Sequence, residues 1–131
     1  MASELRVNTL KDAAGANSVA LSTVANGSAK AWAQIQQTST QTVHGSFNVS
    51  GIVDTNTSRT EVNYTNAMSD ANYSALSSGS KDWDDSPAGN QSLMVGAVYA
   101  TTGDSYYQST NDGGVAQDSP RFMVAINGDL A

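Results

Sequence analysis

The sequence predicts an all-β protein of antiparallel strands, arranged as a sandwich or a barrel. Two observations carry this prediction. In several stretches apolar and polar side chains alternate with a period of two, which is typical of strands with one face on a core and one in water. Clusters of Gly, Asn, Asp and Ser separate these stretches at roughly 8–15-residue intervals, and these residue types favour chain reversals.

The composition supports a single folded domain with a neutral polar surface. The chain has 131 residues, of which 39% are hydrophobic and 14% are charged. Typical domains carry about 25% charged residues. A disordered chain of low hydrophobicity normally has a high net charge, so this low charge favours a folded chain. Polar surface is supplied instead by 18 Ser, 12 Thr and 11 Asn residues.

The chain changes character near residue 30. Residues 1–30 contain no aromatic side chain and few large apolar ones, and we predict an extended arm or a small strand pair there. A β domain is expected to follow at residues 31–131. The arm would need a partner to bury its apolar side chains, either a second subunit or another protein.

The strands of this domain can be placed from their alternation. Residues 28–37 allow a helix, but Ala31, Ala33 and Ile35 alternate, which favours a strand. Further alternating sets are Phe47 and Val49; Thr60, Val62 and Tyr64; Tyr73 and Ala75; Leu93, Val95, Ala97 and Tyr99; and Phe122, Val124 and Ile126. Reversals are predicted at residues 26–28, 54–58, 77–80, 86–90, 101–104 and 111–114.

The charge balance argues against nucleic acid and membranes as partners. There are 12 acidic and 6 basic residues, for a net charge of −6. The basic residues are scattered singly, whereas binding to phosphates or anionic lipids needs clustered Lys and Arg. No apolar run approaches the roughly 20 residues that span a bilayer, and the N-terminus lacks the apolar core of a secretory signal. The absence of Cys excludes disulfides and thiol chemistry.

The sequence predicts no catalytic residue, cofactor or metal. The single histidine, His44, lies outside any nucleophile-elbow motif, and we interpret it as structural. The acidic cluster at 82–85 could offer Ca²⁺ ligands together with Asp104, Asp112 or Asp118, but its spacing does not match a calcium loop. A glycosidase pair is disfavoured because both Glu residues, Glu4 and Glu61, fall on a predicted arm or strand.

The aromatic residues late in the chain are the candidate binding residues. Trp83, Tyr106 and Tyr107 lie in or beside polar turn clusters, where a flat apolar ring edged by polar groups suits a sugar or protein contact. The alternative is that Tyr99 and one of Tyr106 and Tyr107 fill the core. Trp83, in the acidic stretch, is the least core-like of the set.

Several segments, in order along the chain, resemble small tail-fibre-like virion proteins of marine tailed bacteriophages. These segments are MASELRVNTL (1–10) with DAAGANS (12–18), KAWAQI (30–35), GSFNVSGIVD (45–54), RTEVNYTNAMSDANY (59–73) and FMVAINGDLA (122–131). Residues 78–120 match least, and Ser69 stands where Pro is common in these proteins. None of the segments is a catalytic signature.

The resemblance implies a homotrimeric attachment module of the virion. The fold expected is a jelly-roll-like β-sandwich at 31–131, with the arm at 1–30 docking the subunit or interlocking it with its neighbours. The expected partners are other virion proteins and a host cell-surface glycan or protein, bound multivalently and without catalysis. Two alternatives remain open: a decoration (cement) protein of the phage head, and a polysaccharide depolymerase with paired carboxylates in a cleft.

Overall fold

Antiparallel strands dominate the computed structural model, which describes residues 6–15, 18–80, 92–111 and 113–131. This confirms the all-β prediction. The elements are β1 (Thr9–Lys11), β2 (Ser18–Ala20), α1 (Leu21–Gly27), β3 (Ala31–Gln36), β4 (Thr42–Phe47), β5 (Val49–Asn56), β6 (Arg59–Tyr64), β7 (Ser74–Ser80), β8 (Ser92–Ala100), β9 (Asp104–Thr110) and β10 (Arg121–Asn127).

Eight of the strands form one antiparallel sheet in the order β4-β3-β10-β7-β8-β9-β6-β5. The ladder between its two central strands is short, because β7 and β8 pair only through Gly79–Leu93 and Ser80–Ser92 in the described residues. The sheet therefore divides into two four-stranded parts. We call β4-β3-β10-β7 the first half and β8-β9-β6-β5 the second half.

The two edges of this sheet are joined by one residue. β4 ends at Phe47 and β5 begins at Val49, so Asn48 alone carries the chain from the first half to the second. Its φ of +54° is a left-handed conformation that Asn tolerates better than most residues. The Asn48 amide holds this corner: Oδ1 accepts the Asn66 backbone N–H at 2.8 Å, and Nδ2 donates to the Asn66 carbonyl at 3.1 Å.

The inner faces of the two halves meet in one apolar core. The predicted alternation is confirmed in β3, β6 and β10, whose alternate side chains are buried. Contact between the halves is direct: the rings of Tyr107 (β9) and Phe122 (β10) lie 5.3 Å apart, centroid to centroid. Among the described residues, the buried apolar side chains are those of Ala31, Ala33, Ile35, Val62, Tyr64, Met68, Tyr107, Phe122, Val124 and Ile126.

A buried amide ties the halves together at one end of this core. Gln37, just after β3, is 1% exposed. Its Nε2 donates to the Thr60 hydroxyl at 2.9 Å and the Ser58 carbonyl at 3.2 Å. Its Oε1 accepts from the Ser109 hydroxyl at 2.6 Å and the Ser119 backbone N–H at 2.9 Å. Every hydrogen-bonding position of the amide is therefore filled. We call these five residues the Gln37 cluster.

The N-terminal segment lies outside the core. β1 and β2 pair with each other, and every residue in these two strands is exposed. α1 buries none of its residues and has no side-chain cap. The sequence did not predict this helix, because seven residues without a cap or an apolar face leave no periodic signal. The backbone N–H of Lys30 joins the segment to the sheet by donating to the Ile126 carbonyl.

Two local predictions differ from the structure. Residues 77–80, predicted as a reversal, belong to β7, where they pair with β10 from Ser77–Val124 to Ser80–Arg121. Ser and Gly favour turns, but pairing with a buried neighbouring strand overrides that preference. In β8, the register shifts between Ala97 and Tyr99, so the expected alternation breaks there.

Removing the Gln37 amide should destabilise the fold. Gln37→Ala leaves the Ser119 N–H without its acceptor and the Ser109 hydroxyl with only its 3.3 Å contact to the Ser58 carbonyl. It also opens a void, so we expect the free energy of unfolding to fall by about 2–4 kcal/mol. Urea denaturation followed by circular dichroism measures this change. The control is Gln36→Ala, one residue earlier and partly exposed, which should cost about 0.5 kcal/mol or less. Equal losses for the two variants would contradict the role of the cluster.

Candidate functional site

The outer face of the second half carries a pair of tyrosines. The register shift in β8 brings Tyr99 opposite Tyr106 of β9. Their ring centroids lie 5.8 Å apart with the planes tilted by 57°, which is within the range favoured for aromatic pairs. Tyr99 is 62% exposed, so the pair offers a large aromatic surface to solvent.

This pair lines a groove that crosses the second half. The groove encloses about 290 Å³, close to the lower end of the range for small-molecule sites. We call it the aromatic groove. Its lining residues are Thr55 and Asn56 of β5, Arg59 of β6, Val98 and Tyr99 of β8, and Tyr106 of β9, with Tyr107 beneath.

Polar groups edge the aromatic surface. Nε and Nη2 of Arg59 donate to Oε1 of Gln108, at 3.3 and 3.2 Å. The two donors share one acceptor oxygen, and this contact orients the exposed guanidinium at the groove, because Arg donors are arranged in a rigid fork. An aromatic wall beside an ordered guanidinium suits a ligand with both an apolar face and hydroxyl groups.

The Tyr106 hydroxyl is held by a carboxylate. Glu61 lies directly opposite Tyr106 in the pairing of β6 with β9. The interaction of the phenol with this carboxylate raises the pKa of Tyr106, with smaller contributions from desolvation and from the charges of Glu61, Asp104 and Tyr99. Such an interaction favours the neutral phenol because only that form can donate a hydrogen bond. Tyr106 therefore remains a neutral side chain at physiological pH.

The three predicted binding residues have different positions. Tyr106 lies on the outer surface, in the aromatic groove. Tyr107 is fully buried and packs on Phe122, so its ring is not accessible to a ligand in this arrangement. Trp83 lies outside the described residues.

Tyr99 and Arg59 were not predicted to be site residues. The period-two pattern put Tyr99 on the same face as Val95, which packs on the core. The irregularity after Ala97 turns Tyr99 outward instead. The alternation in β6 puts Arg59 on the solvent face, opposite the buried residues of that strand. Nothing in the sequence indicated that β6 lies next to β9.

Tyr107 belongs to a buried tyrosine cluster. The cluster lies at the end of β9 that begins with Asp104, away from Ser109. Ser105 lies at its centre: its hydroxyl donates to the Tyr107 hydroxyl at 2.9 Å and accepts from the Tyr64 hydroxyl at 2.7 Å. Tyr73 extends the cluster by donating to the Asp104 carbonyl at 2.8 Å. Desolvation by burial raises the pKa of Tyr64 and of Tyr107 to about 12, and it also raises that of Tyr73.

The acidic residues form no metal cluster within the described part of the chain. No group of three or more His, Cys, Asp or Glu side chains is placed to hold an ion there. Asp118 accepts the Ser58 backbone N–H at 2.6 Å, near the Ser109 end of β9, whereas Asp104 begins that strand. Five residues of strand separate these ends by about 17 Å. The acidic stretch at 82–85 and Asp112 lie outside the described residues.

The structure places His44 on β4, where its Nε2 lies 3.3 Å from Gln36 Oε1. Among the residues that the structure describes, no helix is long and apolar enough to cross a membrane. Comparison of the chain with protein-family models, with curated proteins and with solved structures finds no match. The assignment of a function therefore depends on the groove, the sheet and the sequence resemblance.

The tyrosine cluster should make the fold sensitive to alkaline pH. Because the folded pKa values of Tyr64 and Tyr107 lie above the ordinary value of about 10, their ionisation is easier in the unfolded chain. Their contribution to stability is complete below pH ~10 and is lost as pH rises through ~12. We expect tyrosinate absorbance and unfolding to appear together in that range.

Substitution of one cluster residue tests the assignment. Tyr107→Phe removes one buried phenol, so the free energy of unfolding should fall less steeply above pH ~10, by up to about 1.4 kcal/mol per pH unit. The control, Val115→Ala, truncates an exposed side chain that does not ionise and should leave the slope unchanged. Identical slopes for Tyr107→Phe and the unmodified protein would contradict the buried cluster.

Proposed function

We propose that this protein is a virion structural protein of a tailed bacteriophage, a tail-fibre-like subunit that attaches the particle to its host. In this proposal it acts as a homotrimer, by multivalent binding and without catalysis, and the aromatic groove takes a sugar unit of a host cell-surface glycan. The single observation that carries the ligand class is the exposed Tyr99–Tyr106 pair beside the ordered Arg59 guanidinium.

The chemistry of the groove favours a sugar. A pyranose ring has an apolar C–H face that packs on aromatic rings, and its hydroxyl groups need donors and acceptors at the ring edge. Tyr99 and Tyr106 supply the aromatic surface, and Arg59 and Asn56 supply polar groups beside it. Uncharged Ser and Thr residues elsewhere on the surface are compatible with a protein that works among dense polar polymers.

The fold supports a β-sandwich for residues 31–131. Its strand order differs from that of a jelly roll, because β4 lies at the edge and pairs only with β3 instead of with the second-last strand, β9. The two four-stranded halves face each other across the core, and the chain passes from one to the other at Asn48. The N-terminal segment supports a separate arm at 1–30, because β1, β2 and α1 bury no side chain. In this proposal the arm docks the subunit onto other virion proteins or interlocks it with its neighbours.

A single shallow groove is expected to bind weakly, and the trimer overcomes this weakness. Linking several sites raises the overall affinity by about 10²–10⁴-fold without any new contact. Many trimers on one particle extend the same effect. A weak site repeated many times therefore suffices for attachment.

Substitution in the groove tests the ligand assignment. The probe is an array of purified bacterial lipopolysaccharides and capsular polysaccharides, incubated with fluorescently labelled protein. We expect the protein to bind at least one polysaccharide, and Tyr106→Ala and Tyr99→Ala each to weaken that binding about tenfold, equivalent to ~1.4 kcal/mol. Because Tyr99 and Tyr106 lie on the surface, the melting temperature should hardly change.

The matched control is Val115→Ala, which truncates a side chain as exposed as Tyr99 in the loop after β9, outside the groove, and should leave binding unchanged. Undiminished binding by both tyrosine variants would refute the groove as the site. Release of new reducing ends from the bound polysaccharide would instead favour the depolymerase. Antibody labelling of intact particles separates the remaining alternative, since label on the head rather than the tail would favour the decoration protein.

A further inference from the structure

An apolar row crosses the outer face of the first half without a break. The strand registers place Phe47 opposite Trp32, Trp32 opposite Ala125, and Ala125 opposite Leu76. Directly paired residues share a face of the sheet, so these four side chains lie side by side across β4, β3, β10 and β7. Phe47, Trp32 and Leu76 are 54%, 44% and 61% exposed.

The next row continues this surface. Met123, which is 41% exposed, lies between Gln34 and Ser78, and Gly45 completes the row on β4. A Cβ at Gly45 would lie 3.5 Å from Cζ3 of Trp32, so the indole extends over β4 and covers the gap left by the glycine. We call these two rows the apolar face.

The apolar face has no charged side chain among its eight positions. The charged residues nearest to it along these strands are Lys30, which precedes β3, and Arg121, which begins β10. The described residues of the N-terminal segment leave the face exposed. A contiguous exposed apolar surface of this kind, rimmed by polar residues, is typical of an interaction site.

We propose that the apolar face is the surface through which three copies of this chain associate around a common axis. The inference rests on the homotrimer of the proposed function and names the interface that forms it. Each copy would turn its first half toward the axis. Phe47, Trp32 and Leu76 would then be buried against the same side chains of the two other copies.

Charge favours further copies of this chain as the occupant. Each chain carries a net charge of −6, so copies repel one another wherever acidic surfaces meet. Association is cheapest through a surface without charge, and the apolar face is such a surface. Because identical copies present identical residues near a symmetry axis, an uncharged apolar row can contact its own copies without an unpaired buried charge.

The width of the first half fits a three-sided prism. Four strands spaced by about 4.8 Å give a sheet about 19 Å wide. Three such sheets closed into a triangle leave each sheet about 5.5 Å from the axis, which is close to half of the ~10 Å at which sheets pack face to face. One apolar row from each copy would therefore fill a layer of the prism without a channel.

This arrangement also orients the aromatic groove. The two halves meet through their inner faces, so their outer faces lie on opposite sides of the subunit. A subunit that turns the apolar face toward the axis turns Tyr99 and Tyr106 away from it. Each trimer would thus present three grooves to its surroundings, as multivalent attachment requires.

Substitution in the apolar face tests the interface. Light scattering after size-exclusion chromatography should give the unmodified protein a mass close to three times 13.6 kDa at micromolar concentration. Leu76→Glu, which places an unpaired carboxylate at each of the three corners where β7 of one copy meets the next copy, should give a monomer with an unchanged circular dichroism spectrum. The matched control is Val115→Glu, at a residue equally exposed (62%) in the loop after β9, and it should remain trimeric. A monomeric or dimeric unmodified protein, or a trimeric Leu76→Glu, would overturn the proposal.

Tryptophan fluorescence provides a second measurement. The chain has two tryptophans, so in a Trp83→Phe background Trp32 is the sole reporter. On dilution through the association range, its emission should shift to longer wavelength and its quenching by acrylamide should rise. Dissociation that leaves both signals unchanged would place the interface elsewhere, whereas a shielded Trp32 in a monomer would show that the chain covers its own apolar face.

Failure of this proposal can be told from failure of the proposed function. The Leu76→Glu monomer keeps the aromatic groove, so it should still bind the polysaccharide on the array, but with the weaker affinity of one site. A trimer that binds no polysaccharide would contradict the groove and leave the interface intact. A monomeric unmodified protein whose binding depends on Tyr106 would overturn the interface alone.

Discussion

The fold depends on the complete hydrogen bonding of one buried amide. Gln37 follows β3 in the first half, and its side chain bonds Ser58 and Thr60 before and within β6, Ser109 in β9 and the backbone at Ser119. A buried amide stabilises a structure only when its partners are all in place, because each unsatisfied polar group costs roughly 1–3 kcal/mol. The amide therefore specifies one mutual position of the two halves, which apolar packing alone would define less sharply.

The Asn48 corner extends this constraint to the exposed junction of the two edge strands, and the tyrosine cluster extends it to the other end of the core. Asn48 holds the junction between the two edge strands through Asn66. Ser105 connects the hydroxyls of Tyr64 and Tyr107 within the core. The inner faces are occupied by the core and its polar contacts. The exposed tyrosines and the apolar face therefore lie on the outer faces. The proposed binding and assembly could thus vary there without changing the residues that hold the halves together.

How far the sequence predicted the structure depends on how regular each strand is. β3, β6 and β10 alternate without interruption, so their buried faces were predictable to the residue. β7 was missed in part because its Ser and Gly residues carry a turn signal, while the pairing that makes it a strand comes from β10, far along the chain. In the groove, Tyr106 was predicted from its type and surroundings. Tyr99 was not, because the irregularity in β8 that turns it outward leaves no pattern in a single sequence.

The chemistry of the two outer faces accounts for the low charge of the chain. A face that meets identical copies near an axis gains nothing from charge, since like groups would be buried together, and Phe47, Trp32, Ala125 and Leu76 meet that requirement. A groove for a neutral sugar needs only enough charge to order its edge, and Arg59 and Glu61 do this through Gln108 and Tyr106. Acidic residues elsewhere can then keep assembled particles apart without weakening either contact. If the subunit associates through one outer face and binds through the other, as proposed, abundant Ser, Thr and Asn with a net charge of −6 is the composition we expect.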